Sequence, residues 1–181
     1  ASTPDNAALD IVGDIDLSAD LTLDAWTGTQ KGIIGKWTTG VNQRSYLMTL
    51  GSNGRLRIWW TTAGTSGTQP TLTSNVPIPL SSGRLSVRAT LDVNNGSGGH
   101  TAIFYTAPGG TSLAGPWTQL GDPRTGTGVT SIHSGSAVLE VGSWSAGADG
   151  KFPGQIHAAR VRNGIAGAIV ANPFFSAQPA G

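Results

Sequence analysis

The chain has 181 residues, 38% of them hydrophobic, which suits one domain with a sizeable core. Only 12% are charged and the net charge is +1, with the eleven Lys and Arg scattered, so no basic stripe for nucleic acid is present. Cys is absent, which excludes disulfides, thiol nucleophiles and Cys-based zinc sites, and no apolar run approaches the ~20 residues that insertion into a membrane requires.

Taken in chain order, Leu21, Leu23 and Ala25 alternate with polar neighbours as a strand, with Trp26 on the polar side. A second strand is expected over 31–37. Residues 45–61 read as a β-hairpin whose turn holds Asn53-Gly54, the strongest short-range hairpin signal. On its second arm Leu56, Ile58 and Trp60 face the core, and Arg55, Arg57 and Trp59 face away. The clearest strand runs over 85–93, where Leu85, Val87, Ala89, Leu91 and Val93 share one side. Further strands are expected over 101–106 and 137–144. In 152–162 Ile156, Ala159 and Val161 cannot share a face under strict alternation, so a bulge is expected. Residues 69–82 and 108–136 read as long surface connections and candidate ligand loops. The one helix-like piece is 165–171. Short strands with turns every 8–12 residues and no amphipathic helix between them indicate an all-β, two-sheet antiparallel sandwich of jelly-roll type. No repeat or composition shift divides it, so 1–181 is expected to form one domain, its Ala1-Ser2-Thr3-Pro4 opening reading as an edge cut from a longer protein.

The order of these segments carries a resemblance. DLTLDAW from Asp20 to Trp26, GIIGKW from Gly32 to Trp37 and YLMTLG from Tyr46 to Gly51 come first. LSVRATLD from Leu85, LEVG from Leu139, FPGQI from Phe152 and ARV from Ala159 follow. Together they resemble the laminin G-like branch of the concanavalin A-like lectin/glucanase fold over nearly the whole chain. The opening, with STPD at Ser2 and GDIDL at Gly13, and the close, ANPFFSAQ from Ala171, are similar to such domains in minor tail proteins of actinobacterial phages. That resemblance implies a virion-tail or other extracellular module. Two departures stand out. His157 occupies the place where many laminin G-like domains carry an Asp, and it cannot replace a hard oxygen ligand, so a family calcium site is not supported and no cofactor is expected. The closely spaced acids of glucanase members are missing as well.

The site chemistry points the same way. Glycoside hydrolysis ordinarily needs two carboxyl groups, and the single Glu, Glu140, has no acid two or four positions away; it is expected to be a solvent-facing strand residue. His100, His133 and His157 lie too far apart for a helical zinc pair, and no nucleophile elbow is present. Asp5, Asp10, Asp14, Asp16, Asp20 and Asp24 crowd the first part of the chain, where turn chemistry explains them better than a metal. Asn95-Gly96-Ser97 formally fits a glycosylation acceptor but reads as a tight turn. The six Trp are more informative, since their faces stack on sugars. Trp59, Arg57 and Trp117 are the candidate ligand surface, Trp60 belongs to the core, and Trp26, Trp37 and Trp144 fit either role. The expected function is non-catalytic recognition, with a host-surface glycan or a neighbouring virion protein as partner and a homo-oligomer permitted. The competing readings are a spacer domain of a tail fibre or adhesin, and an unconventional glycan hydrolase.

Overall fold

The computed structural model describes residues 1–23, 29–79 and 83–175. Within them the chain forms thirteen strands. These are β1 (Ser2–Thr3), β2 (Ile15–Leu23), β3 (Lys31–Thr38), β4 (Gln43–Leu50), β5 (Leu56–Trp60), β6 (Thr71–Thr73) and β7 (Gly83–Asp92). The remainder are β8 (Gly99–Pro108), β9 (Thr118–Gln119), β10 (Arg124–Thr127), β11 (Leu139–Val141), β12 (Gly154–Asn163) and β13 (Ala168–Ala171). The first sheet runs β1-β11-β3-β4-β5-β6; the second runs β10-β8-β7-β2-β12-β13, with β9 also on β8. Every ladder is antiparallel. Two antiparallel sheets that mix consecutive hairpin pairs with long-range pairings such as β11–β3, β2–β7 and β2–β12 make a jelly-roll sandwich.

The core lies where the apolar faces meet. Leu17, Ala19 and Leu21 of β2, Val87 and Ala89 of β7 and Phe104 of β8 pack against Tyr46, Met48, Leu56, Ile58 and Trp60. Trp60 is fully buried, as its position on the hairpin requires; its indole N–H donates to Thr130 Oγ1 at 3.0 Å and its ring meets His100 edge-on. The hairpin turn closes through Gly51 N–H to Arg55 O at 2.9 Å, with Gly54 at φ +72°. The expected bulge in β12 falls at His157, between Ile156 and Ala158 in the ladder to β2. Asn95 Oδ1 accepts from the N–H groups of Ser97 and Gly99, so its side chain builds the turn that its sequence suggested.

The structure corrects three expectations. Residues 165–171 form no helix: a turn carried by Gly164 and by Ala166 at φ +54° leads into β13, which pairs with β12. The connections 69–82 and 108–136 are not bare surface loops. They contribute β6, β9 and β10 and bury Ile78, Leu113, Leu120 and Ile132. Glu140 is buried rather than solvent-facing, for a reason given below. Trp26 and Asp24 lie outside the described residues.

Candidate functional site: a tryptophan-lined groove on the first sheet

Alternation sends Tyr46 and Met48 inward and leaves Leu47 and Thr49 on the outer face of the first sheet. The register then places Leu47 between Gly35 of β3 and Trp59 of β5. Gly35 has a steric role in this row, because a Cβ there would stand 2.7 Å from Leu47 Cδ1. Trp37 joins the same face, where the β3–β4 ladder skips Ser45. Trp37 and Leu47 are nearly closed off and form a floor, whereas Trp59 keeps exposed ring surface. Trp59 is held in orientation by its indole N–H, which donates to Thr49 Oγ1 at 3.2 Å. The Arg57 guanidinium lies 5.3 Å from the Trp59 ring centroid and donates to Thr73 Oγ1 and Gln30 Oε1.

The opposite wall comes from the loop between β11 and β12. Trp144 and Asp149 exchange backbone hydrogen bonds at 3.1 and 3.2 Å, and Gly32 N–H donates to Gly150 O at 2.7 Å. The indole of Trp144 rests on Gly32, where a Cβ would come within 2.9 Å of Trp144 Cε3. Glu140 shares the cross-strand row of Gly35 and Leu47, yet the loop folds over it. Its carboxylate accepts from Ala146 N–H at 2.9 Å, Gly147 N–H at 2.7 Å and the Ser143 hydroxyl at 3.2 Å. A buried carboxylate must be satisfied in this way, so Glu140 is the anchor of the loop that forms this wall.

The resulting groove has a volume of about 490 Å³. Thr39, Gln30, Gln69 and Asp149 ring its aromatic floor and walls. Flat indole surface bordered by amide, hydroxyl and carboxylate groups suits a ligand with apolar C–H faces and equatorial hydroxyls. Asp149 is the only acid among the described lining residues, and Glu140 is sequestered by the loop, so two opposed carboxyl groups do not meet here. The five described aspartates of the opening segment have partners. Asp5 and Asp10 hold buried Lys36, Asp14 accepts from Val93 N–H, and Asp16 and Asp20 pair with Arg88 and Arg84. These ion pairs, more than turns, account for the acidic opening. His157 shares a 2.7 Å hydrogen bond with Thr22 Oγ1. Among the described residues no group of three or more His, Asp or Glu is placed to hold a metal ion.

Solved structures share this architecture. The chain resembles a sialidase-associated carbohydrate-binding module in fold. The CBM40 of the Ruminococcus gnavus IT-sialidase bound to alpha2,6 sialyllactose superposes with a TM-score of 0.57 at 13% identity, covering 86% of this chain and 79% of that one. Its complex with alpha2,3 sialyllactose gives 0.55 at 14% identity, covering 86% and 78%. A heptameric SAP-like pentraxin from Limulus polyphemus gives 0.47 at 12% identity, covering 90% and 75%. No family model and no curated protein matches the sequence. At these identities the likeness to the two CBM40 complexes shows the fold alone.

Of the three candidate residues, Trp59 and Arg57 stand together on the first sheet. Trp117 does not join them; it precedes β9 on the second sheet, with its ring centroid 5.8 Å from the Arg88 guanidinium. Trp144 and Trp37 were ambiguous by alternation and complete the groove. The signal for Trp144 was the glycine spacing around it, Gly142, Gly147 and Gly150, which lets a loop fold back across the sheet.

Proposed function

We propose that this domain is a non-catalytic carbohydrate-binding module of the laminin G-like type, recognising a host-surface glycan through the tryptophan-lined groove. The observation that carries the reading is the placing of Trp59 and Trp144 as half-buried indole walls over a buried Trp37–Leu47 floor, ringed by hydrogen-bonding side chains. The CBM40 neighbours, whose structures hold sialyllactose, support a sugar as the class of ligand. The groove is open and shallow, so each contact is expected to be weak and strengthened by copy number. A minor tail protein of an actinobacterial phage, displayed many times on an extracellular virion, is the setting that the terminal sequence resemblance supports.

The test is a glycan array and a pull-down on actinobacterial cells with the intact chain, Trp59→Ala and Trp144→Ala. Stacking on one indole is expected to make about a tenfold difference in affinity. Binding by the parent chain that falls in both variants, with melting temperature retained, supports the reading. A blank array and blank cells favour a spacer role, and reducing-sugar release lost in Asp149→Asn favours hydrolysis.

A further inference from the structure

The outer face of the second sheet carries a groove of different chemistry, about 420 Å³ in volume. Its residues follow from alternation. Leu17 and Ala19 point into the core, so Asp16 and Ser18 of β2 point out; Val87 and Ala89 leave Arg88 outward, and Ala159 and Val161 leave Arg160 and Arg162 outward. Register then makes the site. Ser18 lies directly opposite Arg88 on one neighbouring strand and Arg160 on the other, so two guanidiniums face each other across a short hydroxyl side chain. Arg162 lies in the next row, opposite Asp16.

The charges do not balance. Asp16 is the one carboxylate lining this groove, and Arg88 occupies it side-on, Nε at 2.9 Å and Nη2 at 2.8 Å, while Ala166 N–H takes a further bond. Among the described residues Arg160 and Arg162 have no carboxylate within ion-pair distance. Arg160 is fixed by neutral acceptors instead: Asn172 Oδ1 and the carbonyls of Leu113 and Ser112. Arg162 donates from Nη1 to Gly167 O, and its Nε and Nη2 have no acceptor among the described residues. Burial lowers the pKa of Arg160, repulsion from Arg162 lowers it further, and the Asp16 charge offsets only part of this. Two neighbouring, half-buried cations with donors to spare are a poor arrangement for stability alone and a good one for an oxyanion. Trp117 borders the groove, and the Arg88 guanidinium is set 5.0 Å from the Tyr105 ring centroid. A flat aromatic beside converging guanidiniums fits a ring that carries an anionic group.

We propose that this groove is a second ligand site, for a sugar bearing a carboxylate or sulfate, with Arg162 and Arg160 meeting the oxyanion and Trp117 flanking the ring. The domain then has recognition surfaces on opposite faces of the sandwich. The proposal is independent of the tryptophan-lined groove, which lies on the other sheet.

The experiment is an amide-shift NMR titration of the intact chain with glucuronate, N-acetylneuraminate, glucose 6-sulfate, neutral glucose and inorganic sulfate. Saturable shifts at Ser18, Arg88, Arg160 and Arg162 are expected for an acidic sugar, with glucose about tenfold weaker or silent. The glucuronate, N-acetylneuraminate and sulfate-ester arms decide which acid is preferred. Arg162→Ala keeps the Asp16–Arg88 pair and is expected to weaken the acidic sugar about tenfold with an unchanged melting temperature. Trp117→Ala is expected to weaken it, read at these same four amides. Absence of saturable shifts with every acidic sugar overturns the proposal, as does equal binding of glucose. Inorganic sulfate binding as tightly as the sugars, with Trp117→Ala silent, reduces the groove to an adventitious ion only and also overturns it.

Discussion

Glu140 shows how a residue's environment decides between two chemistries. Its three hydrogen-bond donors come from residues 143–147, so its charge is spent on holding the loop that carries Trp144. Glu140→Gln replaces one acceptor oxygen with an NH2 group facing backbone N–H donors. A stability loss of about 1–3 kcal/mol is expected, read as a lower melting temperature, together with weaker glycan binding as Trp144 loosens. Tyr46 gives a second test. Burial above all, then the Asp10 and Asp5 carboxylates, push its phenol far above its ordinary value of 10.0. The folded chain therefore keeps this proton at a pH where the unfolded chain releases it. Stability contributed at neutral pH should decline as pH rises past about 10. Urea midpoints measured across that range should fall in the parent chain and fall less steeply in Tyr46→Phe.

At the scale of elements, β2 is the strand on which the second sheet depends. It is paired on both sides, with β7 and β12, and its outward aspartates are matched diagonally by arginines of β7. The two ion pairs differ in exposure: the Arg88 side chain is 17% exposed and that of Arg84 42%. Burial opposes the charge on Arg88, but the hydrogen bonds and charge of Asp16 leave its pKa raised. Arg88→Ala strands a carboxylate that is 3% exposed, with one remaining N–H donor, and is expected to cost about 3 kcal/mol. Asp20 is as buried, at 2% exposed, but Arg84 covers it from the solvent side, so Arg84→Ala lets water reach the carboxylate, which keeps the Gly110 N–H, and about 1 kcal/mol is expected. Chemical denaturation of both variants checks the order, and equal losses would refute the argument from exposure. The strands themselves were legible wherever one face is dry, as in β4, β5, β7 and β8. They were illegible where contact comes from elsewhere. β13 carries Ala168 and Ile169 exposed and is a strand because β12 offers it an edge; β9 and β10 have no apolar rhythm and exist because β8 does.

For the whole molecule, Asp5, Asp10, Asp14, Asp16 and Asp20 are committed to cations or to backbone N–H groups of segments distant in sequence. Millimolar calcium is therefore expected to leave the thermal midpoint unchanged; a rise would reveal a site and overturn this prediction. The sequence by itself determined that the chain is a β-sandwich, which side chains of the hairpin's second arm face the core, and that the strand within 152–162 must bulge, because burial of one sheet face imposes a period of two on any strand that has one. It also marked Trp59 and Arg57 as outward. It did not determine which outward residues meet. Trp59 and Trp144 wall one groove because β3 and β4 lie between β5 and the loop that Glu140 folds across the sheet, while Trp117 is carried with β9 to the second sheet. Ser18 sits between Arg88 and Arg160 for the same reason: hydrogen-bonded register between strands distant in sequence chooses the neighbours, and local periodicity carries no information about that choice.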